Sequence, residues 1–149
     1  MPEACWRVCA QARGLVVEES ISRRTAGFPD TIAVTLRTEA GTVSVEGTIL
    51  QGNSLRILAI DDIEIEAPLA GTLIFMRNRD VPGVIGQVGN LFGNHNINIA
   101  TLALGCREDS RGTGGAAVAV VGVDHPVPEE VLELLRRIPA IKFVQVGKL

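Results

Sequence analysis

The sequence has 149 residues, 46% of them apolar and 21% charged, with 14 Lys and Arg against 17 Asp and Glu and a net charge of −3. That is room for one domain or two small ones with a sizeable core, and it argues against long disorder. A negative balance and only five aromatics (Trp6, Phe28, Phe75, Phe92 and Phe143) remove the cationic footprint and the stacking platforms of a nucleic-acid binder. No apolar run reaches the ~18–20 residues of a membrane span, and no basic segment followed by an apolar one opens the chain. No membrane partner and a cytoplasmic setting are therefore expected. Two His and no nucleotide-binding fingerprint, in a chain this short, leave little room for a complete cofactor-dependent enzyme.

Residues 3–13 read as a short helix ending at Gly14. The period then changes to two, and residues 15–21 are strand-like. Residues 31–36 put Ile32, Val34 and Leu36 on one face. A turn at 39–42 leads into a strand over 43–51, with Val43, Val45 and Ile49 set against Ser44, Glu46 and Thr48. Residues 55–60 form a short apolar strand interrupted by Arg56. Asp61 and Asp62 turn the chain into 63–67, where Ile and Glu alternate. The first half is thus one helix followed by antiparallel meander strands.

Pro68 to Gly71 marks a boundary. Residues 72–76 are a strand, 78–83 a loop, and 84–93 a helix with Val84, Ile85, Val88, Leu91 and Phe92 on its apolar face. A strand over 97–104 and a Gly-rich connection over 105–115 follow, then a small-residue strand over 116–123. A helix starts near Pro128, with Glu129 and Glu130 suited to its dipole. Its expected buried face is Val131, Leu134, Leu135 and Ile138, and residues 141–146 are the last strand. The order β-α-β-β-α-β predicts a four-stranded antiparallel sheet with both helices on one side, the ferredoxin-like arrangement.

The richest segment is 78–100, NRDVPGVIGQVGNLFGNHNINIA. Pro82 ends the strand, and Gly83 lets another group approach the backbone. The following helix offers unpaired N–H groups and a positive dipole end, where a small carboxylate could sit. Asp80 could take the ammonium group of the same zwitterion. Asn98, from the neighbouring strand, could read a side-chain hydroxyl or meet a paired chain. Two plainer roles fit the same spacing: Asp80 capping the helix, and Asn98 as a solvated strand residue. Gly83, Gly86 and Gly89 do not make GxGxxG, so they are expected to let the helix pack close to its sheet or to a partner helix. Cys5, Cys9 and Cys106 lack ligand-pair or redox spacing, and no metal site is expected. His95 and His125 lie in turns and are expected to be exposed. Ser20, Ser22 and Ser44 have no nucleophile elbow around them.

Residues 73–100, with the form DxPGxIGxVGxLFGxxxINIA and the βαββαβ order that follows, resemble an ACT domain. The variant is similar to the C-terminal ACT domain of bacterial long-form D-3-phosphoglycerate dehydrogenase. Residues 12–70, with Gly27-Phe28-Pro29-Asp30-Thr31-Ile32 and Gly47-Thr48, resemble the latter part of that family's intervening allosteric substrate-binding domain. The resemblance implies an α+β chain: a partial antiparallel sheet domain over 1–70, then a ferredoxin-like ACT domain over 71–149. It implies ACT domains paired edge to edge in a homo-oligomer, with L-serine at the interface as feedback inhibitor. By position its contacts would be Asn78, Asp80 and Asn98, with Val81, Pro82, Gly83, Val84 and Ile85 binding the carboxylate through their backbone. Some members also bind an anion in the intervening domain. Arg56, the one basic residue on its strand, is the candidate here, ahead of Arg23 and Arg24. The catalytic Arg, acid and His and the NAD fold of that family are not found, so no catalytic residue and no cofactor are expected in this chain. The alternatives are a regulatory subunit or domain of an iron–sulfur L-serine dehydratase, a ligand-free dimerisation module and, last, a self-sufficient enzyme.

Overall fold

The structure, a computed structural model, describes residues 5–18, 30–107 and 114–149. Its elements are α1 (Cys5–Ala12), β1 (Thr31–Thr38), β2 (Gly41–Leu50), β3 (Ser54–Ile60), β4 (Ile63–Pro68), β5 (Thr72–Arg79), α2 (Val84–Asn94), β6 (Ile99–Cys106), β7 (Ala116–Val123), α3 (Glu129–Arg136) and β8 (Ile141–Lys148). They build two antiparallel four-stranded sheets, β1-β2-β3-β4 and β6-β7-β5-β8. The second order, with α2 and α3 inserted between strands, is the expected ferredoxin-like arrangement. Residues 15–18 depart from the sequence expectation: they have no regular structure, and Val16 is 90% exposed with no strand beside it among the described residues. Residues 19–21 of that expected strand, and Arg23, Arg24 and Phe28, lie outside the described residues.

Alternation explains how the second sheet is buried on both faces. On β5, Ile74 and Met76 point to the helices, while Leu73 and Phe75 point away from them; on β7, Ala119, Val121 and Val123 oppose Val118 and Val120. The helix side is closed by Val84, Val88 and Phe92 of α2 and by Val131, Leu132 and Leu135 of α3. Leu132 replaces Leu134 as a buried residue, because i, i+1 and i+4 meet the sheet and Leu134 is left half-exposed. The other side is closed by the first sheet, whose Ile57, Ile60, Ile63, Ile65 and Ala67 join Leu73, Val118 and Val120 in a second apolar core. Beyond β3 the same face continues as Ile32, Val34, Leu36, Val43 and Val45, all exposed, with β1 at the sheet edge.

Gly105 explains how closely the two sheets approach. Expected in a loop, it is instead buried inside β6, which runs two residues further than the pattern suggested. A Cβ there would overlap the Glu64 carbonyl oxygen of β4 and lie 2.8 Å from Ile63 Cγ2. The colliding atom is backbone, so it cannot rotate away. Gly105→Ala is expected to cost about 1–3 kcal/mol as the sheets are forced apart, measurable as a lower urea midpoint.

Candidate functional site

β5 ends at Arg79, and Val81 and Pro82 turn the chain toward α2. The turn is fixed by backbone: Asp80 N–H donates to Gly115 O (2.8 Å), Gly114 N–H to Asp80 O (3.1 Å), and Val81 N–H to Arg79 O (2.9 Å). Gly83 is the N-cap of α2 at φ 89°, a left-handed conformation that a side chain would strain. The cap has no side-chain hydrogen bond and the first turn holds no acid. Asp80 lies three residues before the cap, and no acid within the first turn offsets the positive end of the helix. The first intrahelical bond is Gln87 N–H to Gly83 O, so the N–H groups of Val84, Ile85 and Gly86 have no intrahelical acceptor. The Val84 side chain is turned into the core, which leaves that residue only its backbone to offer a ligand.

Asn78 and Asp80 stand at this same end of the sheet. Asn78 is 8% exposed; its Nδ2 donates to Arg79 O (2.9 Å), while Oδ1 is buried without a partner among the described residues. Asp80 is half-buried and its side chain engages in an interaction. Asn98 is elsewhere. β6 begins at Ile99, so Asn98 lies just before the strand rather than on it, exposed, with Nδ2 donating to Asp124. The early end of the strand pattern has a local cause: Ile97 N–H closes back onto Phe92 O (2.9 Å), and Asn96 takes φ 55°. Since Thr72 and Ile99 both pair with Val123, Asn98 sits at the far end of the sheet from Asp80. At about 3.3 Å per residue of strand, the separation is roughly 25 Å. Within one chain, Asn98 and the Asn78–Gly83 turn do not converge.

The glycines of α2 are not where the sheet needs them. A Cβ at Gly86, Gly89 or Gly93 would meet nothing within 4 Å. The helix packs on its own sheet through Val84, Val88 and Phe92, and the glycines face outward, which corrects the expectation of close packing to the sheet. His95, at the end of α2, and His125 are exposed as expected, His95 Nδ1 lying 2.8 Å from Leu91 O. Arg56, on β3, is half-buried, and its Nε is enclosed without an acceptor among the described residues.

A cleft of ≈ 370 Å³ opens beside the β5 end and is lined by Arg77, Arg79, Arg107 and Lys142 together with Asp61 and Asn78. The sequence pattern did not reveal it, because its cations come from β5, the end of β6 and β8. Arg77 pairs with Asp61 at 2.6 Å and stacks over Phe143 at 5.6 Å from the ring centroid. Arg107 pairs with Asp62 at 2.6 Å.

Residues 72–140 match the ACT domain family, so the second half of the chain is an ACT domain. The chain as a whole is homologous to the C-terminal region of D-3-phosphoglycerate dehydrogenase. It is 36% identical to the enzyme of Methanocaldococcus jannaschii over 88% of this chain and 24% of that one. It is 30% identical to the enzyme of Bacillus subtilis over 92% of this chain and 25% of that one. The chain thus spans about a quarter of the length of these curated relatives. A "Probable L-serine dehydratase, beta chain" of Bacillus subtilis is 24% identical over 94% of this chain and 61% of its own length. No helix among the described residues is long and apolar enough to cross a membrane.

Proposed function

We propose that this chain is a non-catalytic, cytoplasmic regulatory region of a D-3-phosphoglycerate dehydrogenase that binds a small amino acid, L-serine first, between two paired ACT domains. The observation that carries it is the split of the site. The Asn78–Gly83 turn, with the N-terminus of α2, lies at one end of the sheet and Asn98 at the other. Edge strand β6 of one copy, set antiparallel against β6 of a second, brings each turn beside the partner's Asn98. Two further features support that pairing. Leu102 and Leu104 of β6 are exposed on the helix-bearing side, 42% and 54%. The outward glycines of α2 allow a second helix to come close.

In the paired site the α2 N-terminus and the backbone of residues 81–85 take the effector's carboxylate, Asp80 its ammonium group, and Asn78 and the partner's Asn98 its polar side chain. Ligand then bridges two copies and favours one arrangement of the pair, which any attached catalytic domain would feel as a shift in population. The NAD chemistry of such an enzyme has no residues assigned to it in this chain. On the first sheet, Arg56 with its unpartnered Nε is the candidate for holding an anion.

Calorimetry with L-serine, alongside glycine, alanine and other small amino acids, tests this. Saturable binding of one of them, lost in Asp80→Ala, is expected; no heat with any of them at millimolar concentration would overturn the proposal. A second reading, regulatory region of an L-serine dehydratase, is favoured by the fuller coverage of the beta-chain relative. Co-purification with a cysteine-rich catalytic subunit distinguishes it.

A further inference from the structure

We propose that the cleft between the two sheets is a binding site for a phosphate-type oxyanion, adjoining the effector turn at Asn78 and separate from Arg56. Four cations, Arg77, Arg79, Arg107 and Lys142, line it against one carboxylate among the described residues, Asp61. That carboxylate is already engaged: Oδ1 accepts from Ser44 N–H (3.0 Å) and Oδ2 from Arg77 (2.6 Å). Asp62, outside the cleft, holds Arg107 in the same way. The two acids of the β3–β4 turn therefore orient two guanidinium groups at the wall and leave them with donors to spare, since each guanidinium carries five N–H groups.

Arg79 and Lys142 are held by main-chain oxygens. Arg79 Nε donates to Gly114 O at 3.4 Å, its guanidinium lying over Gly114, and Lys142 Nζ donates to Pro139 O at 2.9 Å. Both are exposed, so an anion entering the cleft meets cations tethered to carbonyl oxygens, with further donors to offer. A tetrahedral oxyanion matches this donor set: planar forks from three arginines and a lysine ammonium, offered from more than one side. The wall is shared by Asp61 and Ile63 of the first sheet and by β5, β7 and β8 of the second, so a bound anion would tie the two sheets together.

The test is calorimetry of the full chain at low ionic strength, with inorganic phosphate and, in a second arm, glycerol phosphate. Arg79→Gln and Lys142→Gln are chosen because both side chains are exposed and anchored to main chain, and thermal melting confirms that both variants remain folded. Saturable binding at the cleft is expected, weakened about tenfold or more in each variant, retained in Arg56→Gln and in Asp80→Ala, and diminished by added salt. Tighter binding of glycerol phosphate would mark a phosphate ester as the ligand, and equal binding the free ion. No saturable binding of either, or binding lost in Arg56→Gln and retained in the two cleft variants, would overturn the assignment. Because Asp80 does not itself line the cleft, failure of this site and failure of the effector site are separable.

Discussion

Alanine in place of Asp80 is expected to abolish the response to the amino-acid effector while leaving the fold intact. Asp80 is half-buried at the end of β5, and its main chain is pinned to Gly114 and Gly115 whatever side chain it carries. The substitution therefore removes a carboxylate and the interaction it makes, but little packing. An effector ammonium in that site would be left without its counter-charge while partly desolvated. Truncating one partner of such a pair costs about 2–4 kcal/mol, roughly a thirty- to thousandfold loss of affinity. Calorimetry reads the loss directly, and an unchanged melting temperature would show that folding is not the cause.

The second large effect is on stability. Phe92 is completely buried, in the core beneath the ACT sheet that also holds Val88 and the α3 residues Val131 and Leu135. Phe92→Ala is expected to cost about 3–5 kcal/mol, the sum of lost transfer energy and the cavity left behind. The main chain adds to the effect. Phe92 O accepts from Ile97 N–H and His95 N–H, so the ring anchors the segment that leads to Asn98. Denaturant melts should show the fall in midpoint, and any residual folded fraction should bind effector more weakly because Asn98 loses its support.

Much of the fold was legible in the sequence because period and length were clear. The alternation of 31–36 and 63–67 and the helical spacing of Val84, Val88 and Phe92 each named both the element and its buried face. Failures arose where a tertiary contact overrode a local signal. Gly105 read as loop because glycine breaks strands, yet β6 needs a residue without a Cβ where β4 crosses it. The glycines of α2 read as packing close to the sheet or to a partner helix, and the first of these does not hold, since Val84, Val88 and Phe92 make the sheet contact and the glycines face outward. Residues 15–18 had strand-like composition but no strand beside them among the described residues. The site was legible as residue types and not as geometry. Asn78, Asp80 and Gly83 lie together in sequence and in space, whereas the separation of Asn98 from them follows from strand order, which spacing does not encode. The basic cleft was invisible for the same reason.

The split site makes the pairing of ACT domains open to a direct measurement, subunit complementation. Asp80→Ala and Asn98→Ala each disable both sites of a symmetric pair. In a mixed pair, one site contains both substitutions and the other contains neither. The two variants should each fail to bind the effector alone, and on mixing and re-equilibration they should recover saturable binding, with one intact site per mixed pair and an affinity close to that of the original chain. If mixing restores nothing while sedimentation shows that mixed pairs form, Asp80 and the partner's Asn98 do not share a site, and the effector does not bridge two ACT domains in this way.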